Sequence, residues 1–462
     1  ANWTNGKPAA TAEAIIPATA LNFPTLTSAV TVNNLTIESN ASGTGSLLDN
    51  GYLTITGNAT VKQYVQGEKW HMISSPVQNA LSGVFHLAAG QADFYIRQFA
   101  GAWSYITDLT TPLVAGKGYS IWADTQTNST PHPTVPFVGA LNTGNMTLAT
   151  TGAGWDLLGN PFVSAIDWNT VNPANVDGSA VRVWNQTLTV YSTYSQLGGS
   201  LNGGNRYLAP MQGFFVKSFN SNGITIGNAN RVHNGQLFVK SSNTINDLVK
   251  ITAKRGTYKD EINVVMNPIA TNNYDAQYDA TKLFVNDANI PEIYTVSNNK
   301  NLAINIFGSA PIAIPMNIRM GIADNVTLTA SEFANFDASV NITLEDMLTG
   351  TTQDLRQNPS YTFAASIGEN ANRFVLHFAT ASGINEPNAG NISIYANENT
   401  IYVNTTEKVE EISVYNMLGQ VITKVSGSAK SLQTISIDNA SGNYVVKVTT
   451  EKGVKTEKVF VK

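Results

Sequence analysis

Apolar and polar residues alternate with a period of two over short stretches along most of the chain, and clusters of Asn, Gly, Asp and Ser break the alternation. Val30-Thr-Val32, Leu35-Thr-Ile37, Tyr52-Leu-Thr-Ile-Thr56, Ile392-Ser-Ile-Tyr395 and Tyr444-Val-Val-Lys-Val448 are such runs. Between them fall turn clusters such as Glu38-Ser-Asn-Ala-Ser-Gly43 and Asp49-Asn-Gly51. Side chains on a strand point alternately to the two faces of a sheet, so this pattern predicts half-buried strands joined by tight turns. The expected fold is all-β, several stacked β-sandwich domains of the jelly-roll or Ig-like kind.

A long internal repeat organises the middle of the chain. Lys69-Trp-His-Met-Ile-Ser-Ser-Pro-Val77 returns as Gly154-Trp-Asp-Leu-Leu-Gly-Asn-Pro-Phe162, with Trp70 and Trp155 85 residues apart. Downstream of each Trp an apolar run follows a glycine: Gly118-Tyr-Ser-Ile-Trp122 in the first copy and Gly213-Phe-Phe-Val-Lys217 in the second. Each copy closes on a turn, Asn142-Thr-Gly-Asn145 and His233-Asn-Gly235. A period this long exceeds a solenoid rung and suits one small sandwich or half of a double one. The matched Trp70 and Trp155 read as a core anchor used twice. No flexible linker separates the copies, so 68–240 is expected to be one two-copy β unit.

Residues 1–67 are expected to be an N-terminal β-roll or edge sheet that packs on the repeat unit. Strand-like runs from Leu248-Val-Lys-Ile-Thr252 to Arg373-Phe-Val-Leu-His-Phe378 recur every eight to fifteen residues and predict a β-sandwich over 241–380. Ser382-Gly-Ile-Asn-Glu-Pro-Asn-Ala-Gly390 reads as a linker, 381–391.

The final module, 392–462, carries a specific pattern: Val414-Tyr-Asn-Met-Leu-Gly-Gln-Val421, Ser441-Gly-Asn-Tyr-Val-Val-Lys-Val448 and the terminal Lys458-Val-Phe-Val-Lys462. It resembles the C-terminal sorting domain (type A) of type IX secretion cargo from Bacteroidota. Tyr415, Asn416, Leu418, Gly419, Gln420, Gly442, Tyr444 and Lys458 carry the match. The resemblance implies an Ig-like sorting sandwich, recognition by the type IX translocon and a cell-surface or extracellular destination. In that family the module is commonly cut off as cargo is anchored or released. Trp3, Ile16-Pro17 and Asn34-Leu-Thr-Ile37 resemble the opening of many such cargo proteins, and the acidic stretches around Asp260-Glu261 and Tyr274 to Lys282 resemble a sandwich placed just before the sorting domain.

Composition agrees with export. There is no cysteine among 462 residues, which excludes disulfides, Cys-based zinc sites and thiol nucleophiles. Charged residues make up 13% and the net charge is −5, so no basic face for nucleic acid is expected. No run of eighteen apolar residues is present to predict a transmembrane segment. The opening Ala1-Asn-Trp-Thr-Asn-Gly6 has neither a basic start nor an apolar stretch, the expectation being that a signal peptide was removed or left out.

Candidate chemistry is sparse. The five histidines, His71, His86, His132, His233 and His377, include no pair at metal-ligating spacing, and no Gly-x-Ser-x-Gly elbow, phosphate loop or dinucleotide fingerprint occurs. The chain is therefore expected not to be an enzyme and to need no cofactor. Asp275 and Asp279, with Asn272 and Asn273, offer hard oxygen atoms suited to calcium, although the spacing fails the EF-hand pattern. Trp103 and Trp122, with Tyr105 and Tyr119, are a candidate platform on which sugar rings stack. The main expectation is a secreted or cell-surface, non-catalytic structural or adhesin-type protein. Its alternatives are a self-assembling filament or sheath subunit, with a homo-polymer as partner and the N-terminal strand as donor, and a binder of surface glycan.

Overall fold

The computed structural model describes residues 8–86, 93–125, 132–233, 247–285, 287–333, 336–371, 373–380, 392–426, 431–438, 441–451 and 453–461. The expected linker 381–391 and the start of the chain through residue 7 lie outside them. Strands dominate throughout, interrupted by four short 3-10 turns, with no α-helix among the described residues. The chain divides into two compact units. The first holds 1–245 together with 276–285, and the second holds 246–275 with 286–462.

In the first unit, the N-terminal stretch forms one layer of a sandwich. Glu13–Ile16, Asn34–Ile37 and Ala59–Tyr64 run parallel, and Thr134–Gly139 joins antiparallel. The opposing layer is the first repeat copy, in the order Trp103–Tyr105, Asp93–Phe99, Tyr119–Asp124, Trp70–Ile73. Ile16, Ile37, Val61 and Phe137 from one layer meet Ile73, Ile96, Tyr119 and Ile121 from the other in a shared core. Within the N-terminal segment expected as a donor, Glu13–Ile16 is built into the protein's own sheet, and residues 1–7 lie outside the described residues.

The second copy repeats this wiring. Trp70–Ile73 pairs antiparallel with Tyr119–Asp124, setting Trp70 opposite Trp122. Gly154–Gly159 pairs in the same sense with Gly213–Ser218, setting Trp155 opposite Lys217. Its five-stranded sheet covers a core of Leu158, Phe162, Trp168, Phe214 and Val216.

The two copies meet through a pair of equivalent contacts, an approximate two-fold. Ile73 bridges Gln212, and the matching Leu158 bridges Lys117. The Ser74 amide donates to Met211 O at 2.8 Å, and the matching Gly159 amide donates to Gly116 O at 2.9 Å. At Gly118 and Gly213 the chain passes against the backbone of the other copy. A Cβ on Gly118 would lie 2.4 Å from Leu158 O, and one on Gly213 would lie 2.9 Å from Ile73 N and Met72 C. These closest-approach positions explain why both copies place glycine before the strand. Asn142 closes the seam by donating to Ser75 O at 3.0 Å and Pro161 O at 3.1 Å, one from each copy.

Residues 276–285, which the sequence places within 241–380, pack into the first unit. The Thr281 amide donates to the buried Asp177 carboxylate at 2.8 Å, and Leu283 packs against the buried cluster of Met72, Leu157 and Phe215.

In the second unit, one continuous strand path folds over a single core. It runs Thr351–Asp354, Val340–Asp346, Phe374–Thr380, Ile312–Met320, Glu292–Ser297, Lys300–Phe307, Tyr258–Met266, Leu248–Arg255, Asp324–Ser331, Ser360–Ala365. Its two ends are tied where Tyr361 donates to Asp346 at 2.8 Å and Arg373 grips the same carboxylate at 2.8 and 3.0 Å. Burial opposes the charge on Asp346, yet Arg373 and Tyr361 hold its pKa below the usual carboxylate value. The C-terminal module is a separate small sandwich, Ile392–Asn397, Thr400–Thr405 and Leu432–Ser436 facing Val421–Ser426, Val409–Asn416, Gly442–Thr450 and Gly453–Val461. Ile401, Val403, Ile412, Val414, Val446 and Val448 fill its core.

Two half-buried histidines are expected to make the first unit acid-sensitive. His71 Nε2 donates to Gln66 O at 2.8 Å, and its Nδ1 accepts from the Gln186 amide at 2.7 Å, an arrangement of the neutral ring. Burial lowers the pKa of His71, against the pull of the Gln66 carbonyl, and Lys69 lowers it further. His233, between Thr25 and Ser46, is also lowered, by burial first and by Arg231 after the opposing Pro24 carbonyl. With folded-state pKa values below 6.5, the unfolded chain takes up these protons first, so stability falls as pH drops below 6.5 and their contribution is flat above it. The melting temperature of the first unit is expected to decline from pH 6.5 to 5, with a shallower slope in a His71→Gln/His233→Asn variant, as thermal melts in matched buffers would show.

Candidate functional site: an aromatic sheet face around Arg97

The sheet of the first copy has two unlike faces. Phe94 and Ile96 point into the core, and alternation sends Tyr95, Arg97 and Phe99 to the other side. Register extends that outer face. Trp122 lies opposite Tyr95, Ser120 and Tyr105 opposite Arg97, Trp103 opposite Phe99, and Trp70 opposite Trp122.

Arg97 is the centre of this face. Its guanidinium lies 3.4 Å from the Trp70 ring centroid and 4.7 Å from that of Trp103, and one nitrogen donates to Ser120 Oγ at 3.3 Å. A guanidinium between two indoles gains cation–π attraction that grows as water is excluded. Burial lowers its pKa, partly offset by the phenols of Tyr105 and Tyr191. Tyr191 is in turn pushed up to about 12 by burial. Trp70 stacks obliquely on Trp122 at 5.6 Å, and Tyr95 and Tyr105 are 51% and 60% exposed.

The second copy repeats the arrangement. Arg182 lies 85 residues after Arg97, sits opposite Phe215 as Arg97 sits opposite Ser120, and places its guanidinium 4.8 Å from Trp155. Phe99 meets Trp103 edge-on at 5.3 Å, and the corresponding Trp184 meets Tyr191 edge-on at 5.3 Å. Phe215 joins the two sets, 5.0 Å from Phe99 and 5.7 Å from Tyr191. The expectation that Trp70 and Trp155 are core anchors holds in part, since Trp155 packs on the buried cluster of Met72, Leu157 and Phe215. Both stand half-buried on the outer faces beneath an arginine, and the core positions are taken by residues further along the same strands, Ile73 and Leu158.

The candidate platform residues divide. Trp103 and Trp122 share the outer face with Tyr105, whereas Tyr119 is buried in the core, where its hydroxyl accepts from the Val114 amide at 2.8 Å. Arg97 was missed in sequence, and its 85-residue offset from Arg182 is the signal that reveals it. Of the candidate calcium ligands, Asp279 is buried in the first unit and Asp275 belongs to the second. Asn272 Oδ1 accepts from the Gly308 and Ser309 amides. Among the described residues, no group of three or more His, Cys, Asp and Glu side chains is placed to share a metal ion.

A cleft of about 1160 Å³ in the second unit contains Glu345, His377, Tyr395 and Lys455. His377 Nε2 and Glu345 Oε2 are 2.8 Å apart. Burial opposes ionisation of Glu345, but His377, Ser393 and Lys455 keep its pKa below the ordinary value. A general acid at neutral pH needs the opposite shift, so Glu345 stands as a carboxylate hydrogen-bonded to the neighbouring strand.

The sorting motif forms the turn between Val409–Asn416 and Val421–Ser426. Asn416 Oδ1 accepts from the Leu418 and Gln420 amides, each at 3.0 Å, and its Nδ2 donates to Gln420 Oε1 at 2.8 Å. Gly419 takes a φ of +80°, a conformation open to glycine and costly for most other residues. The turn pushes Met417 and Leu418 into solvent, Leu418 being 86% exposed. Tyr415 pairs with Val445, Tyr444 is buried opposite Asn416, Gly442 pairs with Val461, and Lys458 lies opposite Val445.

An all-β chain ending in this turn-bearing sandwich is an exported cargo protein. Residues 387–462 match the secretion system C-terminal sorting domain, so the protein is a type IX secretion cargo, a system that implies Bacteroidota, and it is destined for the cell surface or extracellular space. The chain belongs to the family described as domain of unknown function DUF8693, whose model matches residues 25–378. No curated protein matches the chain. Among solved structures it is similar to the central fibronectin-III array of RIM-binding protein, at 10% identity over 37% of this chain and 87% of that one, with a TM-score of 0.12. It is also similar to a biofilm associated protein BSP domain, at 9% identity over 87% and 92%, with a TM-score of 0.19. At these TM-scores neither likeness supports an argument about function.

Proposed function

We infer that this is a non-catalytic, adhesin-type surface protein whose contact surface is the outer aromatic face of the first repeat copy. The observation that carries this is the pair of Tyr95 and Tyr105, more than half exposed, on a sheet face already lined by Trp70, Trp103 and Trp122. Large rigid aromatics confer contact area at low entropic cost, and clusters of them on a surface mark interaction sites. The core sheet behind them holds the rings in fixed register. A type IX cargo delivered to the cell exterior meets its targets there.

Particles coated with the full chain are expected to attach to the surfaces the native protein contacts. Replacing Tyr95, Tyr105 and Trp122 by Ala together is expected to cut attachment by about thirtyfold, the effect of losing roughly 2 kcal/mol at an interface centre. Undiminished attachment by a folded triple variant would refute the assignment. The glycan alternative shares this face. A self-assembling filament draws less support, since Glu13–Ile16 of the proposed donor segment is paired within its own sheet.

A further inference from the structure

The two arginine–tryptophan pairs are equivalent by register but differ in how their charge is met. Arg182 is 1% exposed, donates to Ala180 O and Thr281 O at 3.0 Å each, and lies 3.8 Å from the Asp177 carboxylate. Thr281 O is one of these acceptors, and Leu283 packs on the adjoining cluster of Met72, Leu157 and Phe215. In the first copy Arg97 donates to the Ser120 hydroxyl, and among the described residues no carboxylate is paired with it. The Asp124 side of the face lies four residues along the strand from Ser120, about 13 Å away. Glu68 is engaged elsewhere, accepting from the Thr125 amide. The second copy therefore sets a carboxylate 3.8 Å from the guanidinium, and among the described residues the first copy sets none beside Arg97.

We propose that Arg97 takes the carboxylate of an acidic polysaccharide, a chain of uronic acid units. Arg97, 3.4 Å from the Trp70 ring centroid and 4.7 Å from that of Trp103, meets the sugar carboxylate through its terminal nitrogens, its Nε being buried. Tyr95, Tyr105 and Trp122 stack against the C–H faces of the flanking pyranose rings. A carbohydrate fits better than an acidic peptide, because the ligand meets side chains on a sheet face, and an extended peptide takes its affinity from main-chain bonds to an exposed strand edge. This assignment rests on the adhesin reading and specifies the ligand of the same face.

The test measures binding of the full chain, by biolayer interferometry, to immobilised polygalacturonate and alginate, with dextran, dextran sulfate and poly-glutamate as comparison ligands. The parent protein is expected to prefer the two polyuronates, with affinity falling as salt rises. Arg97→Gln is expected to lose about tenfold or more on them, and Arg97→Lys to retain part of the binding as a point charge without the planar fork. Tyr95→Ala, an exposed change that leaves the fold intact, is expected to weaken binding to the same ligands. Equal binding of parent and Arg97→Gln to polyuronate or dextran, lost only with the aromatics, would overturn the carboxylate assignment and leave the adhesin reading standing. Preference for poly-glutamate, or equal preference for dextran sulfate, would overturn the choice of a uronic acid chain. If the parent bound none of these yet its coated particles attached through the aromatic face, the polysaccharide assignment alone would fall.

Discussion

Replacing Arg231 with Met is expected to destabilise the first unit by about 3–5 kcal/mol, the cost of leaving a buried charge without its partner. Arg231 and Asp49 are 2.6 Å apart, with their side chains 1% and 3% exposed. The same guanidinium donates to Ser164 Oγ at 2.9 Å and Leu47 O at 3.0 Å, and lies 4.7 Å from the Phe162 ring. One side chain thereby ties the N-terminal stretch, the loop after the second Trp-to-Pro motif and the last strand of the repeat. Removing it strands the buried Asp49 carboxylate and takes a donor from three further acceptors, Ser164 Oγ, Leu47 O and Asn228 Oδ1. Because a unit of this size shifts by about 2–4 °C per kcal/mol, a drop of about 10 °C in the melting temperature is expected. The double variant Asp49→Asn/Arg231→Met is expected to recover part of the loss, and a double-mutant cycle by urea denaturation would measure the coupling. A single variant that melts with the parent would show that the pair contributes nothing.

The second large effect is expected at the seam between the copies. A methyl group on Gly118 would stand 2.4 Å from Leu158 O, and one on Gly213 would stand 2.9 Å from Ile73 N. Both obstacles are backbone within paired strands, so neither can move aside as a flexible side chain would. Gly118→Ala and Gly213→Ala are each expected to cost about 3 kcal/mol or more, at the upper end for overpacking. Since the two contacts are equivalent by the approximate two-fold, the variants should resemble one another in denaturant midpoint and in the loss of near-ultraviolet signal from the seam aromatics. Retention of the parental midpoint by either would contradict the packing described.

Much of the strand content was legible because period-two alternation is local. Tyr444-Val-Val-Lys-Val448 lies inside Gly442–Thr450, and Leu35-Thr-Ile37 inside Asn34–Ile37. The repeat was legible from Trp, Pro and Gly, residues whose size or backbone demands mark them out. Arg97 and Arg182 were not, because a single cation within Asp93–Phe99 or Ala180–Asn185 carries no local signal and acquires its role only when distant strands set the register. The same holds for the stretch 276–285. Its membership of the first unit depends on Thr281 meeting Asp177, a contact made across a hundred positions of chain. Size alone argues for Trp70 in the core. The strand enters the core at Ile73, three residues later, and the indole stays half-buried beneath a cation.

The near-symmetry of the two copies has a consequence for how this surface can change over time. Residues at the crossing answer to each other, so an altered Gly118 or Gly213 is felt in both halves. Beyond the crossing, the second half is sealed by the chain's own residues and acts as a foundation. In the first half only the exposed rings, Tyr95 and Tyr105, stand clear of the seam, where one side chain can be exchanged for another without reopening the question of whether the protein folds.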